Sequence, residues 1–404
     1  MNVLKRLYYN INPKQLNLSL MEFVFCGAFA TYYPFIVVFL QSKGFSNTTI
    51  GTMLSINSFI IVFAQPIWGM ISDHFGSVKK VFLLCIIMCA IIMQFIPIIY
   101  SAIGMAILLI ILTIFESPTS PLMDSWIIQE IRDEPNLSFG TIRLWGSLGF
   151  SISAFLFGLL IDKAPMQYNF IIFAFMIGLT ILLSRKIEDR GSGNSSTPSV
   201  NFREMQVGQL FKNYSYITFL IFSIVIYIPH KASSSFLPSL LASVGAKPGS
   251  QGIAAALMAF SEVPFFLIGR RLLKRYKPVH LILASSFFFL LRQVAYLTAS
   301  SPVQVILAQL IQGPSFALFL NGAVYYIDSL APDKLKSTAQ TLATSLYGGI
   351  SGIIANYSGG WVIDNLGIKS LYTIGIYAII TITSLFIASL ALDKNRQSKN
   401  AGSV

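Results

Sequence analysis

Twelve apolar stretches, each about long enough to cross a bilayer, leave this chain few folds to choose from. They lie near 16–40, 50–71, 80–100, 102–128, 140–161, 168–184, 215–241, 251–273, 279–299, 303–327, 337–362 and 370–392. Each run is continuous rather than alternating with period two, so helices are expected instead of barrel strands. The expected fold class is an all-α membrane protein with twelve transmembrane helices. One long polar interior segment runs from Arg185 to Asn213, and its centre, GSGNSSTPS, reads as a flexible linker. It divides the chain into a six-helix bundle over 1–186, a cytoplasmic linker over 187–213 and a second six-helix bundle over 214–404.

Composition supports the same reading independently. With 54% hydrophobic residues, 11% charged residues and a mean hydropathy of +0.69, a soluble domain of this size would lack the polar surface to stay dissolved. Membrane lipids are therefore expected partners. The net charge of +12 is distributed unevenly. Of the 28 Lys and Arg, only Lys43, Lys163, Lys247 and Lys369 fall in one alternate set of loops, which places both termini in the cytoplasm. The cluster Arg270, Arg271, Lys274, Arg275 and Lys277 reads as part of that signal and as a lipid head-group contact. Tyr276 is the single aromatic residue within it, too little for a base-stacking platform, and a nucleic-acid partner is not expected. Cys85 and Cys89, one helical turn apart, and Cys26 read as packing residues; no metal site and no disulfide framework are expected.

The pattern GxxxDxxG occurs twice at run ends, as Gly69, Asp73 and Gly76 and as Gly360, Asp364 and Gly367, with a partial echo from Gly158 to Asp162. These close the second, eleventh and fifth runs, which are equivalent positions if the runs are grouped in threes. Such grouping is the sequence trace of inverted repeats in secondary transporters. Lys79 and Lys80 extend the first copy, and GMISDHFGSVKK resembles the loop between spans two and three of the major facilitator superfamily. The resemblance implies the major facilitator fold, with Gly69, Asp73, Gly76, Lys79 and Lys80 as a gating motif.

Ionisable residues within spans cost roughly 2.5–3.5 kcal/mol each on insertion scales, so they are functional candidates by default. Asp124 and Arg143 lie about equally far from the turn near Asp133 and Glu134, and antiparallel neighbours would bring them to one depth. A guanidinium–carboxylate pair there can stay closed or open to a polar solute. The run FGTIRLWGSLGF, from Phe139 to Phe150, resembles the start of span five in the lactose permease branch and, more closely, the phenylpropionate and nucleoside permease-like branch. That resemblance implies solute binding by Arg143 and Asp124, with Phe150 at the position of a tryptophan on which a sugar ring stacks. It also matches Arg292 to an arginine used in proton coupling. Its partners do not follow, because Gln309, Gln312 and Ser315 stand where that branch has Lys, His and Glu. Glu262 is the preferred proton carrier, with His230 and Glu116 as further coupling candidates and Glu22 and Asp328 behind them.

No Walker A, HExxH or GxSxG sequence is present, so no catalytic residues and no enzymatic activity are expected. The expected protein is a monomeric symporter of the cell membrane. It needs no cofactor beyond a coupling ion, H⁺, and takes up a small polar solute such as a sugar or nucleoside. A proton-driven efflux pump for amphipathic compounds and a non-transporting solute receptor are the alternatives.

Overall fold

A computed structural model describes residues 13–132, 134, 137, 139–187, 207–332 and 335–401. Among them the chain is all helix and no strand occurs. The longer helical segments are α1 (Pro13–Ser42), α2 (Asn47–Phe75), α3 (Val78–Ile98), α4 (Ala102–Ile131), α5 (Phe139–Ile161), α6 (Tyr168–Ser184), α7 (Tyr214–Ser235), α8 (Ser250–Arg275), α9 (Pro278–Thr298), α10 (Pro302–Leu330), α11 (336–366) and α12 (Ile368–Ala401), and a short helix, Leu237–Ser243, follows α7. Ten of these are long and apolar enough to span a membrane. The remaining two are α6, a shorter apolar helix of 17 residues, and α11, which a π-helical turn at Leu346–Ile350 interrupts. Residues 188–206 of the expected linker lie outside the described residues, and Val207–Lys212 near its end form a 3₁₀ helix.

Helix starts follow capping chemistry. The side chains of Ser77, Ser101 and Asn213 accept bonds from the third residue on, at 3.2, 3.4 and 3.2 Å, and so begin α3, α4 and α7. The third residue of each glycine–aspartate motif stops its helix: Gly76 and Gly367 have φ of +63° and +83°, which a side chain would disfavour. Several spans are broken on the way. Pro34 lies in a 3₁₀ turn of α1, Pro118 at a break in α4 and Pro314 in a π-helical turn of α10, while Pro66, Pro229 and Pro264 lie inside helices.

The chain forms two compact units. One gathers Met1–Phe39, Ile60–Ser195 and Pro248–Phe260, the other Leu40–Phe59, Ser196–Lys247 and Ser261–Val404. In the first, α1 packs along α5 and α6, and α3 along α4 and α6. In the second, α7 packs along α11 and α12, and α9 along α10 and α12, so the same pairing pattern recurs six helices later. Phe25, Phe29, Phe82, Phe173 and Trp126 interlock largely edge-to-face in the first core. Tyr216, Phe219, Phe222, Phe289, Phe319 and Phe386 fill the second. Large apolar side chains also point outward: Ile103 and Leu267 are 75% and 71% exposed, as a lipid-facing surface requires. The protein is a multi-pass membrane protein.

Candidate functional site

Each unit holds a polar cluster built on an arginine, half-buried in the first and buried in the second. In the first, Glu22 of α1 is fully enclosed and Arg143 of α5 reaches it: Nη1 donates to Glu22 Oε1 and to Cys26 Sγ, the latter at 3.6 Å. Asp124 of α4 lies on the other side of the guanidinium, its Oδ1 3.7 Å from Nε. The sequence-predicted Arg143–Asp124 pair is thus present as the looser half of a triad whose closer carboxylate is Glu22. Two oxygens of this cluster, Glu22 Oε2 and Asp124 Oδ1, are buried without a hydrogen-bond partner among the described residues. The close approach depends on absent side chains. A Cβ on Gly146 would stand 2.7 Å from Glu22 Oε1, and one on Gly149 2.1 Å from Phe23 O. Phe150, next on α5, packs against Ala30, Ala154 and Ala255.

Glu116 stands apart from that triad. Its Oε1 accepts from the Tyr32 hydroxyl, and no cation bonds it among the described residues.

In the second unit Arg292 of α9, only 1% exposed, is the hub. Its Nε donates to Tyr296 Oη at 2.7 Å, and its Nη1 meets His230 Nδ1 at 3.1 Å and donates to Gln312 Oε1. Tyr296 Oη in turn donates to Gln309 Oε1 at 3.1 Å, and Gln312 Nε2 donates to Glu262 Oε1 at 3.0 Å. Gln312 therefore fastens the arginine directly and Gln309 by way of Tyr296. Glu262 meets Arg292 through Gln312 rather than directly. The His230 ring stacks on Phe316 at 5.4 Å, and Lys231 has no hydrogen bond or ion pair among the described residues. Arg292 Nη2 also has no hydrogen-bond partner among the described residues. Gln312 precedes the π-helical turn Gly313–Ala317, whose Gly313 would place a Cβ 2.0 Å from Ser261 O. Local widening of a helix beside a polar site re-aims such a side chain.

The repeated motif proves to join helix ends. Asp364 Oδ1 accepts from Asn47 N at 3.3 Å and Nδ2 at 2.8 Å, and its Oδ2 accepts from Thr48 N and Oγ1, both at 2.6 Å. Those are the first amides of α2, where a carboxylate is favoured. Asp162, in the partial echo, accepts from Gly249 N at 2.9 Å at the start of α8. In the first copy, the Asp73 side chain lies outside the described residues. Lys79 donates to Ile187 O and lies 5.6 Å above the Trp126 ring. No set of His, Cys, Asp and Glu that could hold a metal occurs among the described residues.

Comparison with known proteins places this architecture. A family model described as the MFS_1 like family matches residues 15–374. An uncharacterized transporter of Bacillus subtilis (strain 168), YwbF, is 26% identical over 384 residues, 94% of this chain and 93% of that one. The maltose permease of Geobacillus stearothermophilus is also 26% identical over 384 residues, covering 93% and 94%. Among solved structures, the nucleoside transporter NupG superposes with a TM-score of 0.82 at 18% identity, over 94% of this chain and 99% of that one. Carried by its helix-end motifs, its repeated helix pairing and a match that covers nearly its whole length, the chain belongs to the MFS_1-like family of the major facilitator superfamily, membrane transporters of small solutes rather than enzymes.

Proposed function

We propose that this protein takes up a small polar solute, a sugar or a nucleoside, by alternating access of two six-helix bundles, driven by a cation gradient and most simply by protons. The observation that carries the reading is the Arg143 fork held between Glu22 and Asp124, with Glu22 Oε2 and Asp124 Oδ1 unbonded beside it. A guanidinium offers paired donors and a carboxylate paired acceptors, the pattern that matches adjacent hydroxyls of a ring. Phe150, two turns further along α5, supplies a π face for that ring. The second polar anchor is Arg292, oriented by Tyr296, His230 and Gln312, with Glu262 holding Gln312 in place. The names of the maltose and nucleoside relatives support hydroxyl-rich solutes. The Lys and Arg asymmetry supports both termini in the cytoplasm, and in this reading the protein works as a monomer in the cell membrane. Gly69, Asp73, Gly76, Lys79 and Lys80 form the cytoplasmic gate in this reading. No cofactor beyond the coupling ion, H⁺, is required.

The test is counterflow. Liposomes holding the purified protein are loaded with unlabelled maltose or uridine and diluted into the labelled solute. Transient accumulation that excess unlabelled solute abolishes supports the proposal. Saturable binding without exchange across a panel of sugars and nucleosides would make the protein a receptor.

A further inference from the structure

Two helix interruptions meet in the first unit, and a carboxylate lies at their junction. Residue 116 is near the middle of the 30-residue α4, which is broken at Ser117 and Pro118; α1 is broken from Thr31 to Phe35. Non-helical backbone at membrane depth persists only where protein or a water-lined cavity satisfies it. Here the freed carbonyls are satisfied with care. Asn169 Nδ2 donates to Thr31 O at 2.6 Å, Gln65 Nε2 to Ser117 O at 2.9 Å and Thr119 Oγ1 to Glu116 O at 2.7 Å. The Glu116 carboxylate itself receives only the Tyr32 hydroxyl.

The titratable groups facing Glu116 are Tyr32 and Tyr33 from the break in α1 and Cys89 from α3. None of them is a cation. Arg143 already serves Glu22 and Asp124, and Lys14 serves Glu130 and Glu134. Glu22 and Asp124 thus share a guanidinium and Glu262 accepts from the glutamine that holds Arg292, whereas no cation among the described residues compensates Glu116. Glu116 is half-buried, and a carboxylate at membrane depth with no cation beside it is most economically neutralised by a proton.

We propose that Glu116 is the proton-binding carboxylate of the transport cycle and that Tyr32 is its positioning residue. This rests on the proton-coupled transport reading given above. A proton from water on one side adds to a Glu116 carboxylate oxygen and leaves to water on the other side, and no other bond is made or broken. Tyr32 keeps its own proton throughout. Its hydroxyl donates to the carboxylate before protonation and to the carbonyl oxygen of the acid afterwards, which holds the group in one orientation in both states. The proton site and the Arg143 triad share α1 and α4, which carry Tyr32 and Glu22 and Glu116 and Asp124 respectively, but no hydrogen bond among the described residues joins the two sites. Glu262, bonded by an amide in the second unit, is left with an orienting role.

Infrared difference spectroscopy of the full-length protein in lipid bilayers, cycled between about pH 5 and pH 9, reads carboxylic acid C=O stretching without needing a solute. A titrating band in the parent that vanishes in Glu116→Gln, persists in Glu262→Gln and shifts its midpoint in Tyr32→Phe supports the proposal. A band unaltered by Glu116→Gln overturns it. In liposomes with an imposed pH gradient and labelled maltose or uridine as probe, Glu116→Gln should lower the ratio of gradient-driven accumulation to counterflow at least about tenfold. A ratio equal to the parent's overturns the proposal as well. If the parent moves neither probe, the transport reading fails by itself, and the infrared band still decides whether Glu116 exchanges a proton.

Discussion

At the residue scale, Arg143 is the group on which the solute site depends. Its planar fork addresses two carboxylates on different helices, and a lysine ammonium cannot do so with one fixed geometry. Arg143→Lys should therefore reduce counterflow by about tenfold or more while the protein remains in the membrane. Glu22→Gln should do likewise, because it leaves the guanidinium with only the looser Asp124. Parent-like counterflow in both variants would make the triad a helix tie. The sequence made half of this triad legible. Asp124 and Arg143 flank one turn, so depth alone brings them together, whereas Glu22 is 121 residues from Arg143 and no local spacing joins them. The available signal lay in Gly146 and Gly149, small residues that let α5 approach another helix closely, but they do not name that helix. The second cluster was less legible for the same reason: nothing local links Arg292 to His230, 62 residues away, or shows that Gln312 intervenes before Glu262.

At the scale of elements, the repeated glycine–aspartate motif works as a stop and a latch. The stop was readable, since only a glycine readily takes the φ of +63° at Gly76 or +83° at Gly367. The latch was not, because the sequence does not say which helix start an aspartate will cap. Within the second unit α2 and α11 touch backbone to backbone: a Cβ on Gly51 would fall 2.2 Å from Asn356 O, and one on Gly360 2.2 Å from Asn47 O. Gly51→Leu should part these helix ends, lengthening the distance between spin labels at Ser42 and Ser370 by roughly 2–4 Å. No change in that distance would mean that the contact yields without opening. Asp364→Asn should have the same sign at neutral pH, since an amide accepts less strongly from the amides of Asn47 and Thr48. Partial burial disfavours the Asp364 carboxylate, yet the bonds from Thr48 and Asn47 outweigh it and hold its pKa below the ordinary 3.8. A depressed carboxyl contributes its stabilisation above the free value and loses it as pH falls through the depressed one. The labelled distance should accordingly stay constant from neutrality to about pH 5 and lengthen only in stronger acid. A transition near neutral pH would assign the latch to another group.

At the scale of the whole molecule, the apolar runs foretold the all-helical, multi-pass character of the chain, because continuous runs of that length permit little else in lipid. They foretold the number of spans less securely. The sixth run forms a helix of 17 residues, and the helix of the eleventh run opens with Lys336, Gln340, Thr341 and Thr344 and then widens into a π-helical turn, so neither matches the length and apolarity of the other ten. Orientation is testable apart from count. In a background without Cys26, Cys85 and Cys89, cysteines at Ser42 and Ser370 should react with an impermeant maleimide on intact cells and one at Ser195 should not; labelling at Ser195 would reverse the topology. The central claim is that a small polar solute crosses the membrane by way of the Arg143 triad. Counterflow of labelled maltose and uridine in liposomes, run side by side with the parent and with Arg143→Lys, tests it most directly. Exchange of at least one solute by the parent, abolished or cut about tenfold or more in the variant, is the predicted result. Equal exchange by both proteins, or binding by the parent without exchange, would contradict it.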